Sequence, residues 1–162
     1  MENIPATVIT VSDEIATGVD ENRAGPVAVE LLAAHGVRAD LVVVGDDAEA
    51  IAAAVRRAIG GGSRVVVTSG GTGIGPHDVT VEAVEPLLAY QLPGIGEEIR
   101  RRGAAHVASA LVSREVAGVV AGEPPVFVLT APGSRGGVRD AIGVAGPLLA
   151  HIVAQLDGAG HF

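Results

Sequence analysis

RVVVTSGGTGIGPHDVT, from Arg64 to Thr80, decides the fold. Its first five residues, Arg64 to Thr68, form a β-branched run without apolar/polar alternation, the pattern of a strand covered on both faces. The glycine-rich stretch Ser69 to Asp78 then connects that strand to a helix beginning at Thr80. Two earlier runs match it: Ala6 to Val11 (ATVITV), ending in Ser12-Asp13, and Leu41 to Val44 (LVVV), ending in Gly45-Asp46-Asp47. Helical patterns lie between them. Pro26 to His35 carries apolar residues at helical spacing and stops at Gly36, and Ala48 to Ile59 places Ile51, Val55 and Ile59 on one face before Gly60-Gly61-Gly62. Alternating strand and helix predicts an α/β domain, three layers of α/β/α with a mostly parallel central sheet.

The second half continues the pattern. The helix from Thr80 is expected to break at Pro86, which removes a backbone bond and crowds the preceding turn. Leu92-Pro93-Gly94 reads as a turn, and Gly94 to about Val107 as a solvated helix with Glu97 and Glu98 ahead of Arg100, Arg101 and Arg102. Val116 to Ala121 and Val126 to Thr130 read as strands. A Pro132-Gly133-Ser134 turn leads to a last helix from about Gly137 to Leu156. With 162 residues and no repeat or linker, residues 1–162 are expected to form one domain.

Composition excludes several chemistries. The chain has no cysteine and no lysine; all 11 basic residues are arginine. There is therefore no thiolate metal site, thiol nucleophile, Schiff-base lysine or lysine-bearing phosphate loop. A net charge of −8 repels polyanions, and Tyr90, Phe127 and Phe162 cannot make a base-stacking platform, so no nucleic acid is expected as a partner. The positive mean hydropathy comes from alanine, valine and glycine spread along the chain. The longest charge-free run, Ala141 to Leu156, is short for a membrane span, and the N-terminal MENIPATVITVSDE lacks the features of a secretion signal, so a soluble cytoplasmic protein without a membrane partner is expected. His35, His77, His106, His151 and His161 show no ligand spacing, and apart from His77 they are expected to cap helices or face solvent.

In open α/β sheets ligands bind outside the carboxyl ends of the strands. Those ends carry Ser12-Asp13, Asp46-Asp47, the glycine loop with Asp78, and Thr130 with Pro132-Gly133-Ser134. Glycines let backbone amides turn inward as an anion-binding concavity. The loop is not the dinucleotide fingerprint, because Pro76 stands where its third glycine would be. An ordinary strand-to-helix connection fits the loop's composition as well. Asp13 and Asp46 could equally cap strand ends, Thr80 is a natural helix N-cap, and Ser113-Arg114 a surface turn.

Gly70-Gly71-Thr72-Gly73, Asp78-Val79-Thr80 and Glu82-Ala83 resemble the signature of the molybdenum cofactor biosynthesis family of MoaB and MogA, which includes the gephyrin and Cnx G domains. Further segments agree in order: Thr10 to Asp13 with Gly18 and Asp20, Gly45-Asp46-Asp47, Pro93 to Glu97 with Arg100, Leu111 to Arg114 with Gly118, and Pro132-Gly133-Ser134. The sequence departs from the pattern at His77, Gly45 and Val81, which stand where arginine, proline and proline are common, and in Thr130 to Arg135, which lacks the usual asparagine and second proline.

The resemblance implies a molybdopterin adenylyltransferase, which converts molybdopterin and ATP, with Mg2+, to adenylylated molybdopterin and pyrophosphate. It implies Asp46 and Asp78 for metal binding and catalysis. Gly70, Gly71, Thr72, Gly73 and Thr80 would hold phosphate or pterin, and Ser12, Asp13, Ser113, Pro132, Gly133 and Ser134 would line the rest of the pocket. A homotrimer or homohexamer is implied as well. The alternative is a molybdopterin-binding carrier of the same family without catalysis.

Overall fold

A computed structural model describes residues 3–160; the sequence readings that touch Met1, Glu2, His161 and Phe162 lie outside the described residues. Six strands, β1 (Ile4–Val11), β2 (Val37–Val44), β3 (Val65–Ser69), β4 (Tyr90–Gln91), β5 (Ala117–Val120) and β6 (Val126–Ala131), form one sheet in the order β2-β1-β3-β6-β5-β4. The first four in that order are mutually parallel, whereas β5 runs antiparallel to both β6 and β4. The helices are α1 (Asp13–Ala16), α2 (Ala24–Ala33), α3 (Ala48–Gly60), α4 (Thr80–Val84), α5 (Pro93–Ala104), α6 (Arg135–Ala145) and α7 (Leu149–Leu156).

The three valines of the opening stretch show why the sheet carries two layers of helix. Val65 and Val67 point into a core with Phe127, Leu129 and residues of α2, α5, α6 and α7, while Val66 points the other way, to Ile51 and Val55 of α3 and Val84 of α4. Successive side chains of a strand face opposite sides, so a run of three valines buries on both. The expected three-layer α/β/α architecture is observed.

Several local expectations need correction. Leu41 to Val44 reads as a buried strand, but it is the second half of β2, at the sheet edge, and Leu41, Val42 and Val43 are 38–40% exposed. An apolar run has the same appearance whether a strand has one neighbour or two. Leu92-Pro93-Gly94 is not a free turn: Pro93 is the first residue of α5, where a missing N–H has no cost. The last helix starts at Arg135 and is divided by a 3-10 turn at Gly146–Leu148 around Pro147. Taken as one, Arg135–Leu156 is long and apolar enough to cross a membrane. Its apolar side, with Val138, Ala141, Ile142, Leu149 and Val153, packs into the core, which accounts for that composition. Pro86 lies in a 3-10 turn directly after α4, as its backbone chemistry requires.

The two kinds of valine should respond differently to an isosteric polar change. Val66→Thr puts a hydroxyl without a partner into the core and should cost about 1–3 kcal/mol. Val42→Thr, at the edge, should stay within about 0.5 kcal/mol in urea unfolding.

Candidate active site

The carboxyl ends of the four parallel strands share one rim. The chain leaves β1 outward to β2 and returns to β3 on the other side, so the order reverses between β1 and β3 and opens a crevice there. The loop after β3 sits over that crevice. Gly70 and Gly71 have φ of +109° and +71°. A Cβ on Gly70 would collide with the Val11 carbonyl, and one on Gly71 with the Thr80 hydroxyl, so both conformation and space demand glycine.

The loop is fixed from behind. The Thr80 hydroxyl donates to the Gly70 carbonyl at 2.8 Å, and the Thr80 N–H to the Gly71 carbonyl at 3.2 Å. Thr80 is fully buried and is the first residue of α4, whose N-cap is Val79. Thr80, read either as a ligand contact or as a helix N-cap, is thus an anchor of the loop, its hydroxyl committed to Gly70. Thr72 shares a 2.9 Å hydroxyl hydrogen bond with Ser113, and its carbonyl accepts from the Arg114 N–H at 2.7 Å. Among the described residues, none accepts a hydrogen bond from the backbone N–H of Gly71, Thr72 or Gly73. Three consecutive backbone donors of the glycine loop are thus left without a protein acceptor.

Arg114 is the residue that sequence reasoning undervalued. Far from a plain surface turn, its guanidinium donates to the carbonyls of Gly73 at 2.9 Å and Asp78 at 3.2 Å and makes a two-armed pair with Glu82 at 2.6 and 3.0 Å. The hydrogen bond from Arg114 holds the Glu82 carboxyl below the usual carboxylate range and raises Arg114 in turn. The quoted segment Leu111 to Arg114 was the available signal.

The carboxylates are less clustered than their shared rim suggests. Asp46 N–H donates to Asp13 Oδ1 at 2.8 Å and Asp13 N–H to Asp46 Oδ2 at 3.1 Å, so these two tie the ends of β1 and β2. Asp78 Oδ2 accepts from the Gly75 N–H at 2.9 Å within its own loop. Among the described residues no group of three or more His, Asp or Glu is placed to hold a metal alone. A magnesium ion that arrives with a triphosphate asks for one or two carboxylate oxygens, the rest being phosphate and water, and these aspartates suit that donor set.

The remaining expected residues frame the loop. Ser12 caps α1, accepting from Ile15 N–H at 3.2 Å, and Ser134 caps α6, accepting from Gly137 N–H at 3.0 Å. The Pro132 carbonyl accepts from the Ser69 hydroxyl at 3.1 Å, and Gly133 lies against Gly70. A cavity of about 400 Å³ beside Ser12, Asn22, Ser69, Ser134 and Arg135 borders the start of the loop. A second, of about 490 Å³, beside Gln91, Arg100, Ser113 and Glu115, borders its middle at Ile74. Both are of small-molecule size.

An open, mostly parallel sheet with a glycine loop of free amides at its switch point defines an α/β domain suited to anionic ligands. Residues 7–151 match the family described as the probable molybdopterin binding domain, and the chain belongs to that family. It is 37% identical over 148 residues to the molybdopterin adenylyltransferase of Pyrococcus furiosus, covering 90% of this chain and 87% of that one. It is 39% identical over 157 residues to the molybdenum cofactor biosynthesis bifunctional protein of Synechococcus elongatus, covering 96% of this chain and 48% of the other, so the chain spans about half the length of that relative. The crystal structure of the tungsten cofactor synthesizing protein MoaB from Pyrococcus furiosus superposes with a TM-score of 0.89 at 32% identity, covering 96% of this chain and 98% of that one.

Glu82 gives the Arg114 clamp a pH signature. Its folded value is lowered, so its stabilising contribution is complete above the ordinary glutamate value, about 4.3, and is lost as pH falls through the lower folded one. Glu82→Gln should therefore be less stable than the parent at pH 7, and the gap should narrow as the pH is taken down to 3 in denaturant titrations; a gap of equal size at both would contradict the clamp.

Proposed function

We propose that the protein adenylylates molybdopterin with ATP and magnesium, releasing pyrophosphate. The observation that carries this reading is the trio of free amides at Gly71, Thr72 and Gly73, placed between two cavities at the switch point. The family and the name of the Pyrococcus furiosus adenylyltransferase support the choice of substrates.

A terminal phosphate oxygen of molybdopterin attacks the α-phosphorus of ATP, the bond from that phosphorus to the oxygen bridging the β-phosphate breaks, and pyrophosphate departs with the electron pair. The attacking phosphate is already ionised at neutral pH, so no general base is needed. The chain's task is positioning and charge stabilisation. The amides of Gly71 to Gly73 hold phosphate oxygens, and Gly70 and Thr80 keep them aimed. Ser12 and Ser134, whose oxygens accept as helix caps, still offer hydroxyl donors to the ligand. Asp46 and Asp78 each commit one oxygen to a backbone amide, which leaves the other for the metal. Magnesium bound there supplies the positive charge that lysine provides in other phosphate loops. Asp13 orients Asp46, while Thr72, Ser113, Pro132 and Gly133 shape the walls.

The net charge of −8 supports small anionic substrates brought in with a cation, as against nucleic acid. A soluble cytoplasmic homotrimer or homohexamer accompanies this reading, supported by the exposed apolar residues Val107, Leu111 and Val112.

Pyrophosphate release from molybdopterin, ATP and magnesium tests the proposal. Asp78→Asn should reduce turnover about 100-fold or more while molybdopterin still binds. Tight pterin binding without pyrophosphate in the parent protein would favour the carrier alternative instead.

A further inference from the structure

β2 lies at the edge of the sheet, with β1 as its one neighbour. The Gly36 and Val44 carbonyls accept from the N–H groups of Ile4 and Ser12 at 2.9 Å, and the register runs unbroken from Ile4 against Val37 to Val11 against Val44. A strand residue turns its N–H and its carbonyl to one side, and the next residue turns both to the other. Arg38, Asp40 and Val42 are therefore bonded to β1, while Val37, Ala39, Leu41 and Val43 present their backbone groups at the open edge. Among the described residues none meets those outward groups. Such an edge is a template for another strand.

Arg38 and Asp40 stand two residues apart on one face of β2, and both are exposed. Among the described residues neither has an ion pair or a side-chain hydrogen bond. Leu41, Val42 and Val43, which follow them, are 38–40% exposed and carry no charge to guard the edge. An unpaired cation and an unpaired anion on either side of Ala39 make the strand complementary to a reversed copy of itself.

We propose that β2 pairs antiparallel with β2 of a second copy, about a two-fold axis through Ala39, joining two six-stranded sheets into one. At this register Ala39 faces the partner's Ala39 and Val37 faces the partner's Leu41. All of these are outward residues, so each pair exchanges both backbone hydrogen bonds. Arg38 then faces the partner's Asp40, at the non-hydrogen-bonded positions where side chains come closest, and the two-fold repeats the pair. Moving the axis by one residue sets Arg38 against the partner's Arg38, or Asp40 against the partner's Asp40. Moving it on to Leu41 or Val42 leaves Asp40 facing a valine. The charges thus select one register.

Sedimentation of the full chain at about 100 µM, where mass action favours even a weak pair, should give an even number of copies. Of the assemblies named above, a hexamer can contain this axis and a trimer cannot. Arg38→Asp, which sets an acid against the partner's Asp40, should halve the mass, as should Asp40→Arg, and the double variant Arg38→Asp/Asp40→Arg should restore it. One or three copies in the parent, single variants of unchanged mass, or no recovery in the double variant would each overturn the pairing. The chain has no cysteine, which permits a second test of the register. Arg38→Cys mixed with Asp40→Cys should give a disulfide-linked dimer on oxidation. Neither should do so alone, because like positions lie on a diagonal of roughly 7–8 Å, beyond the reach of a disulfide. No cross-link in the mixture, or an equal one in either variant alone, would overturn the register. β1 separates this edge from the glycine loop after β3, so pyrophosphate release is read apart from pairing, and the failure of one leaves the other standing.

Discussion

The hydrogen bond from the Thr80 hydroxyl to the Gly70 carbonyl sets the shape on which the rim depends. It joins the first turn of α4 to a loop whose two leading glycines are packed against Val11 and Thr80 without room for a Cβ. Because both ends are held, the loop that carries the amides of Gly71 to Gly73 is already ordered before a ligand arrives. Preorganised donors of this kind cost nothing to align at the moment of reaction. The loop's position between β1 and β3 follows from strand order alone, and its curvature from glycine.

Arg114 extends that constraint to the second half of the chain. By donating to the carbonyls of Gly73 and Asp78 while its own N–H reaches Thr72, it ties the segment before β5 to the loop after β3. Ser113 and Glu115, its neighbours, thereby acquire fixed positions relative to the glycine loop. An arginine can do this because its planar guanidinium offers several donors in one geometry. The two cavities then flank the loop, an arrangement suited to a reaction that joins two phosphate-bearing molecules.

Much of this was legible in the sequence, for reasons that also explain the exceptions. RVVVT announced a strand covered on both faces, and the glycines of the loop announced free amides, because both are local consequences of side-chain shape. The exposed edge at Leu41 to Val43 was not legible, since burial of an apolar run depends on how many strands lie beyond it. Asp46 and Asp78 read as a pair, yet each is bonded first to a backbone amide near it, Asp46 to that of Asp13 and Asp78 to that of Gly75. Glu115 gave no signal: beside an arginine and ahead of a strand, a glutamate reads as a solvated charge, and only packing shows it enclosed. The missing lysine excludes one kind of phosphate loop but not one built from backbone amides.

The most direct test of the central claim is a crystal structure of the protein with pyrophosphate and magnesium. The account predicts phosphate oxygens within about 3.2 Å of the N–H groups of Gly71, Thr72 and Gly73. Pyrophosphate bound elsewhere on the rim, with those three amides facing water, would contradict it.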